Sequence, residues 1–493
     1  MEKVILNPAY LLRQDGNRVI ICSQQEEKWG VDEWFSFIHP YQAKMLSFFK
    51  GKFLFEKELR ECADYFGLPL EKMGEIITPY INNKEWFNIR SQNHGKVSFP
   101  RRLLISFTDD APLERSCYYQ TDDFLYKGEP DYGSLRLSYP INVNFELLMN
   151  CFVDCSYCYA NRKLKDKARL ETEEVIKFIR QCRKEGVLFF DINGGDVLLH
   201  PDIDVILEEL ILNGYDPLVS TKFPAGKELL KKLKTIGLKK FQVSLDSASQ
   251  KTLKRLIKAP DGYINRMAQT LRDASDLKFP VDINVVLTKL NVSELEIEGL
   301  MAFLAEYGAV KNVRFNPCGY SLYKQNFEDI ALSIDAIKRA EEFIGRMQDK
   351  YTNLSLKFSG YDSEKDYCDG KSWETFARRA LCTGNTRNVV MLPNGDVTIC
   401  EELYDNPRFI IGNIRQNSLQ EIWESSKAIS LFRLHENKFS ASVCCRCEEA
   451  VACRNGAGVC WKTVLMAYGE ENWDYPDPRC PKAPVPFRAF YSK

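Results

Sequence analysis

Seventeen cysteines stand in this chain of 493 residues, and they are clustered. Three fall in Cys151-Phe-Val-Asp-Cys155-Ser-Tyr-Cys158, a C-x3-C-x2-C spacing that sets three thiols on one short loop where they can converge on a single metal centre. Nine more lie between Cys368 and Cys480. With only four histidines, metal sites in this chain are mostly thiolate sites, which favours zinc or iron–sulfur clusters. A [4Fe–4S] cluster normally takes four protein thiolates. A loop that offers three leaves one iron open to a ligand, as a catalytic metal keeps an open position where a structural one does not. The competing reading is a zinc site whose fourth ligand comes from elsewhere.

Clustering implies metal or catalysis only where disulfides are disfavoured. The opening MEKVILNPAYLLRQDG has no apolar run after its basic residue, and no stretch approaches about 20 uninterrupted apolar residues. The expectation is therefore a cytoplasmic chain with no membrane helix. Lys+Arg 67 against Asp+Glu 68 argues against whole-chain attraction to nucleic acid or acidic membrane. Hydrophobic residues at 45% and the chain length predict two or three separately cored domains.

The elements that position the cysteines follow from periodicity. Residues 1–100 predict strands YLLRQ, RVIICS and WFSFIH and three helices in YQAKMLSFFKG, LFEKELRECADYFGL and LEKMGEIITPYINNKEW, a winged-helix-like α+β module. Residues 101–139 show turns without a sustained period and are read as a linker. From 140 to 360 strand and helix alternate, with INVNFELLM, VLFFDINGG, DPLVSTK, KKFQVSLDS, VDINVVLT and VKNVRFNPCG as near-continuous apolar strands. Six such units fit an α/β class, a partial (β/α)6 barrel of the TIM type with chemistry at the strand C-termini. Residues 361–493 are cysteine-rich, of the kind stapled by metal.

The loop CFVDCSYC, followed at successive strand ends by GGD, STK and SLDS, resembles the radical S-adenosylmethionine (SAM) superfamily over residues 140–330. The resemblance implies that Cys151, Cys155 and Cys158 hold a [4Fe–4S] cluster whose fourth iron is chelated by SAM. Electron transfer from that cluster then cleaves SAM to a 5′-deoxyadenosyl radical that abstracts hydrogen from substrate. It further implies SAM contacts from Gly194 and Gly195 by close backbone approach, Asp196 to the ammonium, and Ser220, Thr221, Ser244 and Asp246 to ribose and carboxylate. Arg255 would fork onto the carboxylate, and Tyr157 would lie near the adenine. The family usually carries Glu where Asp196 stands.

The C-terminal pattern Cys382-x12-Gly395-x4-Cys400, then Cys444-x2-Cys447-x5-Cys453, Cys460 and Cys480 resembles the SPASM extension, which holds two auxiliary clusters. By its interleaved ligation Cys382, Cys400 and Cys460 bind the first, with Cys368 or an open iron at the fourth place. Cys444, Cys447, Cys453 and Cys480 bind the second, which makes three [4Fe–4S] clusters in all. Six residues separate Cys453 from Cys460 where the family has three, a departure that bears on Cys460. Four-cysteine zinc knots share the x2 spacing and are the alternative. The N-terminal module resembles the recognition element that captures leader peptides of ribosomally made, modified peptides. Docking there would proceed by β-augmentation near WFSFIH and against LEKMGEIITPYI.

The implied function is maturation of a precursor peptide, with an electron donor such as flavodoxin or ferredoxin and no nucleic-acid or membrane partner. Auxiliary clusters favour oxidative carbon–carbon or thioether crosslinking. Cys318, at the end of the sixth strand, is a candidate hydrogen donor that would instead serve epimerisation. Oxidation of a Cys or Ser in a folding protein, as in sulfatase maturation, is a further enzymatic reading. From another class comes a zinc-bound winged-helix regulator.

Overall fold

The computed structural model describes residues 3–24, 29–91, 95–107, 119–160, 169–323, 327–359, 373–377, 379, 381–433, 442–455 and 458–487. Two units separate, Met1–Ser138 and Tyr139–Lys493, each with its own core. In the first, β1 (Lys3–Leu6) pairs antiparallel with β7 (Leu104–Phe107). Strands β2 (Leu11–Asp15), β3 (Arg18–Ser23) and β4 (Trp34–Ile38) form an antiparallel sheet in that order. Gly16, at φ +61°, supplies the positive φ that the two-residue turn between β2 and β3 needs. Helices α1 (Pro40–Leu46), α2 (Phe55–Phe66) and α3 (Leu70–Ile77) follow, then the hairpin β5 (Phe87–Ser91) and β6 (Gly95–Phe99). This is the element order expected of a winged-helix-like module.

The stretch expected to be a linker is largely integrated into this unit. It supplies β7, and Phe124 enters the core. Residues 131–138 are held by side chains rather than by a ladder, which is why no period marks them. Arg18, paired with Asp15 at 2.8 Å, donates to the carbonyls of Asp131 (2.5 Å), Ser134 (2.6 Å) and Arg136 (3.3 Å). Asp15 in turn accepts from the Ser138 N–H and hydroxyl, both at 2.7 Å.

The second unit is the expected succession of parallel strands and helices. Strands β8 (Asn142–Leu148) and β9 (Phe189–Gly194) pair with each other. Strands β10 (Ser220–Thr221), β11 (Phe241–Ser244), β12 (Val281–Leu287), β13 (Val310–Pro317) and β14 (Ser355–Phe358) continue in order, all parallel. Between them run α4 (Thr172–Lys184), α5 (Ile203–Leu212), α6 (Lys227–Thr235), α7 (Gln250–Ile257), α8 (Tyr263–Asp276), α9 (Glu294–Leu304) and α10 (Ile334–Lys350). Ser249, Ser293 and Ser333 cap α7, α9 and α10 by accepting from the backbone N–H three residues on. Beyond the barrel, β15 (Asn388–Met391) pairs parallel with β8, and β16 (Asp396–Thr398) and β17 (Ile410–Asn413) extend that sheet antiparallel. The cysteine-rich segment is thereby anchored on the first barrel strand. Among the described residues no helix is long and apolar enough to cross a membrane.

The strands differ from the expected apolar runs. In β12, Val281, Ile283, Val285 and Leu287 are buried, while Asp282, Asn284 and Val286 on the other face are only half-buried. Parallel register aligns Asn144 with Asp191, Glu146 with Asn193, and Ser244 with Asn284, so a polar face repeats from strand to strand. An open barrel with few strands admits water along one face, and polar side chains suit that face.

Glu146 is the exception in that it is fully buried, and it accepts from the Tyr159 hydroxyl at 2.8 Å. Burial raises its pKa from 4.5 to about 8, against the Tyr159 hydrogen bond and with help from the nearby Glu401 carboxylate. The folded chain therefore holds a proton that the unfolded chain releases between pH 4.5 and about 8. Its contribution is complete below 4.5 and is lost as pH rises through that window. Glu146→Gln should remove this slope, which amounts to at most about 1.4 kcal/mol per pH unit for one proton. Thermal unfolding of the two proteins across pH 5 to about 8 checks it. An identical pH dependence in both would mean that the carboxyl is ionised in the fold.

Candidate active site

The loop after β8 has no regular structure, and main-chain bonds hold it from two sides. Gly195 N–H donates to Leu148 O at 2.5 Å and Asp196 N–H to Asn150 O at 2.7 Å. A Cβ on Gly195 would stand 2.0 Å from Asn150 O, and one on Gly194, at φ +106°, 2.5 Å from Leu148 O. These glycines are thus demanded by the approach of the cysteine loop itself. On the other side, Asp154 and Ser156 donate their N–H groups to Ile257 O and Leu256 O at the end of α7, both at 2.9 Å.

Above this loop a cavity of about 360 Å³ opens at the strand C-termini. Of the residues singled out in the sequence, Cys151, Cys155, Cys158, Tyr157, Gly194, Gly195, Asp196, Ser220, Thr221, Ser244 and Cys318 line it. Asp196 is almost fully buried and spends its carboxylate on Thr221 Oγ1 (2.6 Å) and Lys222 N–H (2.8 Å), tying the end of β9 to that of β10. Ser220 and Ser244 hydroxyls lie 3.4 Å apart.

Two expected residues stand elsewhere. Asp246 is buried behind the wall, where its carboxylate accepts from Tyr157 Oη (2.5 Å), Lys222 Nζ (2.9 Å) and Val286 N–H (2.9 Å). Arg255 is exposed on α7 and does not line the cavity. The helix gives its last carbonyls to the cysteine loop and turns Arg255 outward.

Beside the cysteine loop, a cation that does line the cavity is Lys222. Its Nζ donates to Ser244 O and Asp246 Oδ2, both at 2.9 Å, leaving one of three N–H groups uncommitted among these contacts. Burial opposes its charge, yet Asp246, together with Cys155 and Asp196, outweighs that and holds its pKa above the usual lysine value. The signal was present in STK, where a lysine directly follows the polar strand end and the next strand closes in an aspartate.

Glu402 and Lys462, an ion pair on the cavity wall, come from the C-terminal segment. Glu402 follows Cys400 by two residues and Lys462 follows Cys460 by two. Neither residue was expected at the site.

The C-terminal thiols fall into two groups that perturb one another. Cys382, Cys400 and Cys460 interact, and burial pushes Cys382 up to about 12. Cys480 interacts with Cys453, Cys444 and Cys447, and burial raises both Cys480 and Cys453. Thiols gathered under such burial suit a metal group that takes them as thiolates. Among the described residues no three His, Cys, Asp or Glu side chains are posed around a single ion. A four-iron cluster takes each thiolate at a different iron, so its ligands stand further apart than those of one ion. Cys445 is exposed beside Cys444, Cys182 is buried in α4, and Cys368 lies outside the described residues.

Comparison with known proteins adds family, relatives and fold. Residues 146–301 match the Radical SAM superfamily model and residues 382–448 the SPASM model, an iron–sulfur cluster-binding domain. A PqqA peptide cyclase of Rhizobium meliloti is 23% identical over 354 residues, 71% of this chain and 89% of that protein. The crystal structure of Streptococcus suis SuiB shares the fold, with TM-score 0.65 and 15% identity over 97% of this chain and 99% of the other. SuiB bound to the precursor peptide SuiA matches with TM-score 0.65, 16% identity and the same coverage. The cysteine loop, the cavity over it and the thiol-rich segment that reaches its wall therefore belong to a radical SAM enzyme with a SPASM domain, one that binds S-adenosylmethionine and iron–sulfur.

Proposed function

We propose that this enzyme oxidatively crosslinks side chains of a ribosomally made precursor peptide through a carbon–carbon or thioether bond. The observation that carries the reading is a single cavity lined both by Cys151, Cys155 and Cys158 and by Glu402 and Lys462, which follow Cys400 and Cys460 by two residues each. A peptide side chain in that space stands between the group that makes a radical and the thiols that hold an electron acceptor. The likeness to a PqqA peptide cyclase and to SuiB bound to a precursor peptide supports the substrate class.

When bound, a [4Fe–4S] cluster and SAM supply the 5′-deoxyadenosyl radical that removes a substrate hydrogen. Cys151, Cys155 and Cys158 hold that cluster. Lys222 takes the SAM carboxylate with its third N–H, the role expected of Arg255, and Asp246 positions both Lys222 and Tyr157. Cys382, Cys400 and Cys460 hold a second cluster, with Cys368 as a candidate fourth ligand, and Cys444, Cys447, Cys453 and Cys480 hold a third. Reduced flavodoxin or ferredoxin supplies the starting electron.

In the first unit, β4 is the edge of its sheet, and among the described residues it has no ladder partner beyond β3. Ser36 Oγ, on β4, donates to Ser98 O of β6 at 2.8 Å, so the slot for a leader strand is bounded by that hairpin. A second reading, epimerisation, draws on Cys318. It lines the cavity, and burial pushes its pKa up to about 11, so the thiol keeps its hydrogen at neutral pH.

Anaerobically reconstituted enzyme given SAM, a strong reductant and precursor peptide should yield 5′-deoxyadenosine and a peptide two hydrogens lighter. A Cys151/Cys155/Cys158→Ala variant should yield neither. A peptide of unchanged mass that takes up solvent deuterium at one Cα would replace crosslinking by epimerisation. Lys222→Met should weaken SAM binding in equilibrium dialysis about tenfold to a hundredfold at unchanged iron content, the worth of one charge-assisted hydrogen bond, with Lys222→Arg intermediate. Equal affinity in all three would remove Lys222 from the SAM site. Trp34→Glu with Ile76→Glu should reduce capture of a fluorescent leader peptide at least about tenfold while peptide-free SAM cleavage persists. Full capture by that variant would place leader docking on another surface.

A further inference from the structure

The two auxiliary thiol groups sit in unequal fields. Beside Cys444, Cys447, Cys453 and Cys480 stand two cations that donate to sulfur: Arg379 Nη2 lies 3.9 Å from Cys453 Sγ, and Lys482 Nζ 3.7 Å from Cys447 Sγ. Neither has a carboxylate partner among the described residues. Arg379 is 4% exposed, donates otherwise to the carbonyls of Phe376 (2.6 Å) and Gly458 (3.1 Å), and lies over the Phe376 ring at 3.6 Å. The nearby Asp477 is already engaged by Arg479 in a two-point fork at 2.8 and 2.7 Å. A buried guanidinium without a counter-ion is costly, and burial lowers the pKa of Arg379 accordingly. An anionic group on the thiols it faces offsets that cost.

Around Cys382, Cys400 and Cys460 the charges cancel. Among the described residues no cation donates to these sulfurs. Lys462 is paired with Glu402 next to Cys400 and Cys460, and the Cys460 N–H points at Asp477, itself paired with Arg479. Two cations thus donate to the sulfurs of one group, with Asp477, already forked by Arg479, as the nearby negative charge, whereas the cations near the other group, Lys462 and Arg479, are each paired with a carboxylate.

Reduction adds negative charge to an iron–sulfur group, so hydrogen bonds to its sulfurs and nearby cations favour the reduced form and raise its potential. We propose that Arg379 and Lys482 set the reduction potential of the cluster held by Cys444, Cys447, Cys453 and Cys480 above that of the cluster held by Cys382, Cys400 and Cys460. An electron received by the cavity-side group then moves outward, oxidising that group and reducing the other. Lys482 is exposed, which sets the higher-potential group near the protein surface. This rests on the reading above that each thiol group holds its own cluster.

The test is an EPR-monitored redox titration of the full reconstituted chain, with iron counted first, for wild type, Lys482→Met, Arg379→Gln and Arg379→Lys. In Lys482→Met, on the surface and harmless to folding, the higher of the two auxiliary potentials should fall. Arg379→Gln should lower the same one by about 59 mV or more, a tenfold loss in the electron-sharing equilibrium, and Arg379→Lys should lower it less. The lower auxiliary potential should not move. A full iron count with both potentials unmoved, or both shifted alike, overturns the proposal while leaving the two-cluster reading intact. An iron count too low for two auxiliary clusters in wild type overturns that reading and the proposal with it.

Discussion

Four main-chain hydrogen bonds fix the loop that carries Cys151, Cys155 and Cys158, two from the Gly194–Asp196 turn and two to the last carbonyls of α7. Everything else at the site is placed relative to that loop. A thiol that binds an iron has no side-chain bond left with which to orient its own backbone, so orientation must come from neighbours. Backbone donors and acceptors perform this without adding side chains to the space a substrate needs. The demand falls on Gly194 and Gly195, where any Cβ would meet carbonyl oxygens of the loop at contact-breaking distance. A glycine pair that the sequence offers as a cofactor cradle is first of all the latch on the metal loop.

The next layer is electrostatic. Asp246, buried and saturated by three donors, cannot reach a ligand, but it pins the Tyr157 hydroxyl and the Lys222 ammonium on the cavity wall. A lysine held against a buried aspartate stays charged where an unpaired one would lose its proton. The opposite holds for Glu146, which has a tyrosine hydroxyl and, among the described residues, no cation, so burial keeps it protonated to about pH 8.

Much of this was legible in the chain. Six of the seven parallel strands, β8 to β13, and the helices α4, α5, α6, α8, α9 and α10 lie within segments marked by apolar residues, while β14 was not read, and the cysteine spacings separated the first cysteine loop from the C-terminal groups. Features that depend on tertiary pairing were not. Helix α7 was not read as a helix, although Leu253, Leu256 and Ile257 form its buried face, so Arg255 was read for its charge without its direction. Lys222 lay inside a quoted motif but became distinctive only once Asp246 stood 2.9 Å away. Polar residues on the inner strand faces were averaged into apolar runs, because Asn, Asp and Gln alternate there with Val, Ile and Phe. The segment 131–138 carries no repeating signal since the buried Arg18 holds the carbonyls of Asp131, Ser134 and Arg136 one by one.

Which outcome follows a substrate radical is then a matter of what the cavity offers it. Epimerisation requires a hydrogen atom delivered from the face opposite to abstraction. Cys318 keeps its hydrogen, but its Sγ lies 3.7 Å from Ile330 O in a hydrogen bond that must be broken before the hydrogen can turn to a substrate. Oxidative closure requires an electron and a proton to leave the substrate, the electron to an acceptor and the proton to a base. The wall beyond the radical-forming loop carries the Glu402 and Lys462 pair, with Cys400 and Cys460 directly behind in sequence. An electron acceptor held by those thiols stands two residues in sequence from the cavity wall, whereas the thiol route must first break the Cys318 hydrogen bond. The balance of local geometry therefore favours the proposed crosslink over inversion, for a reason separate from the number of clusters the chain binds.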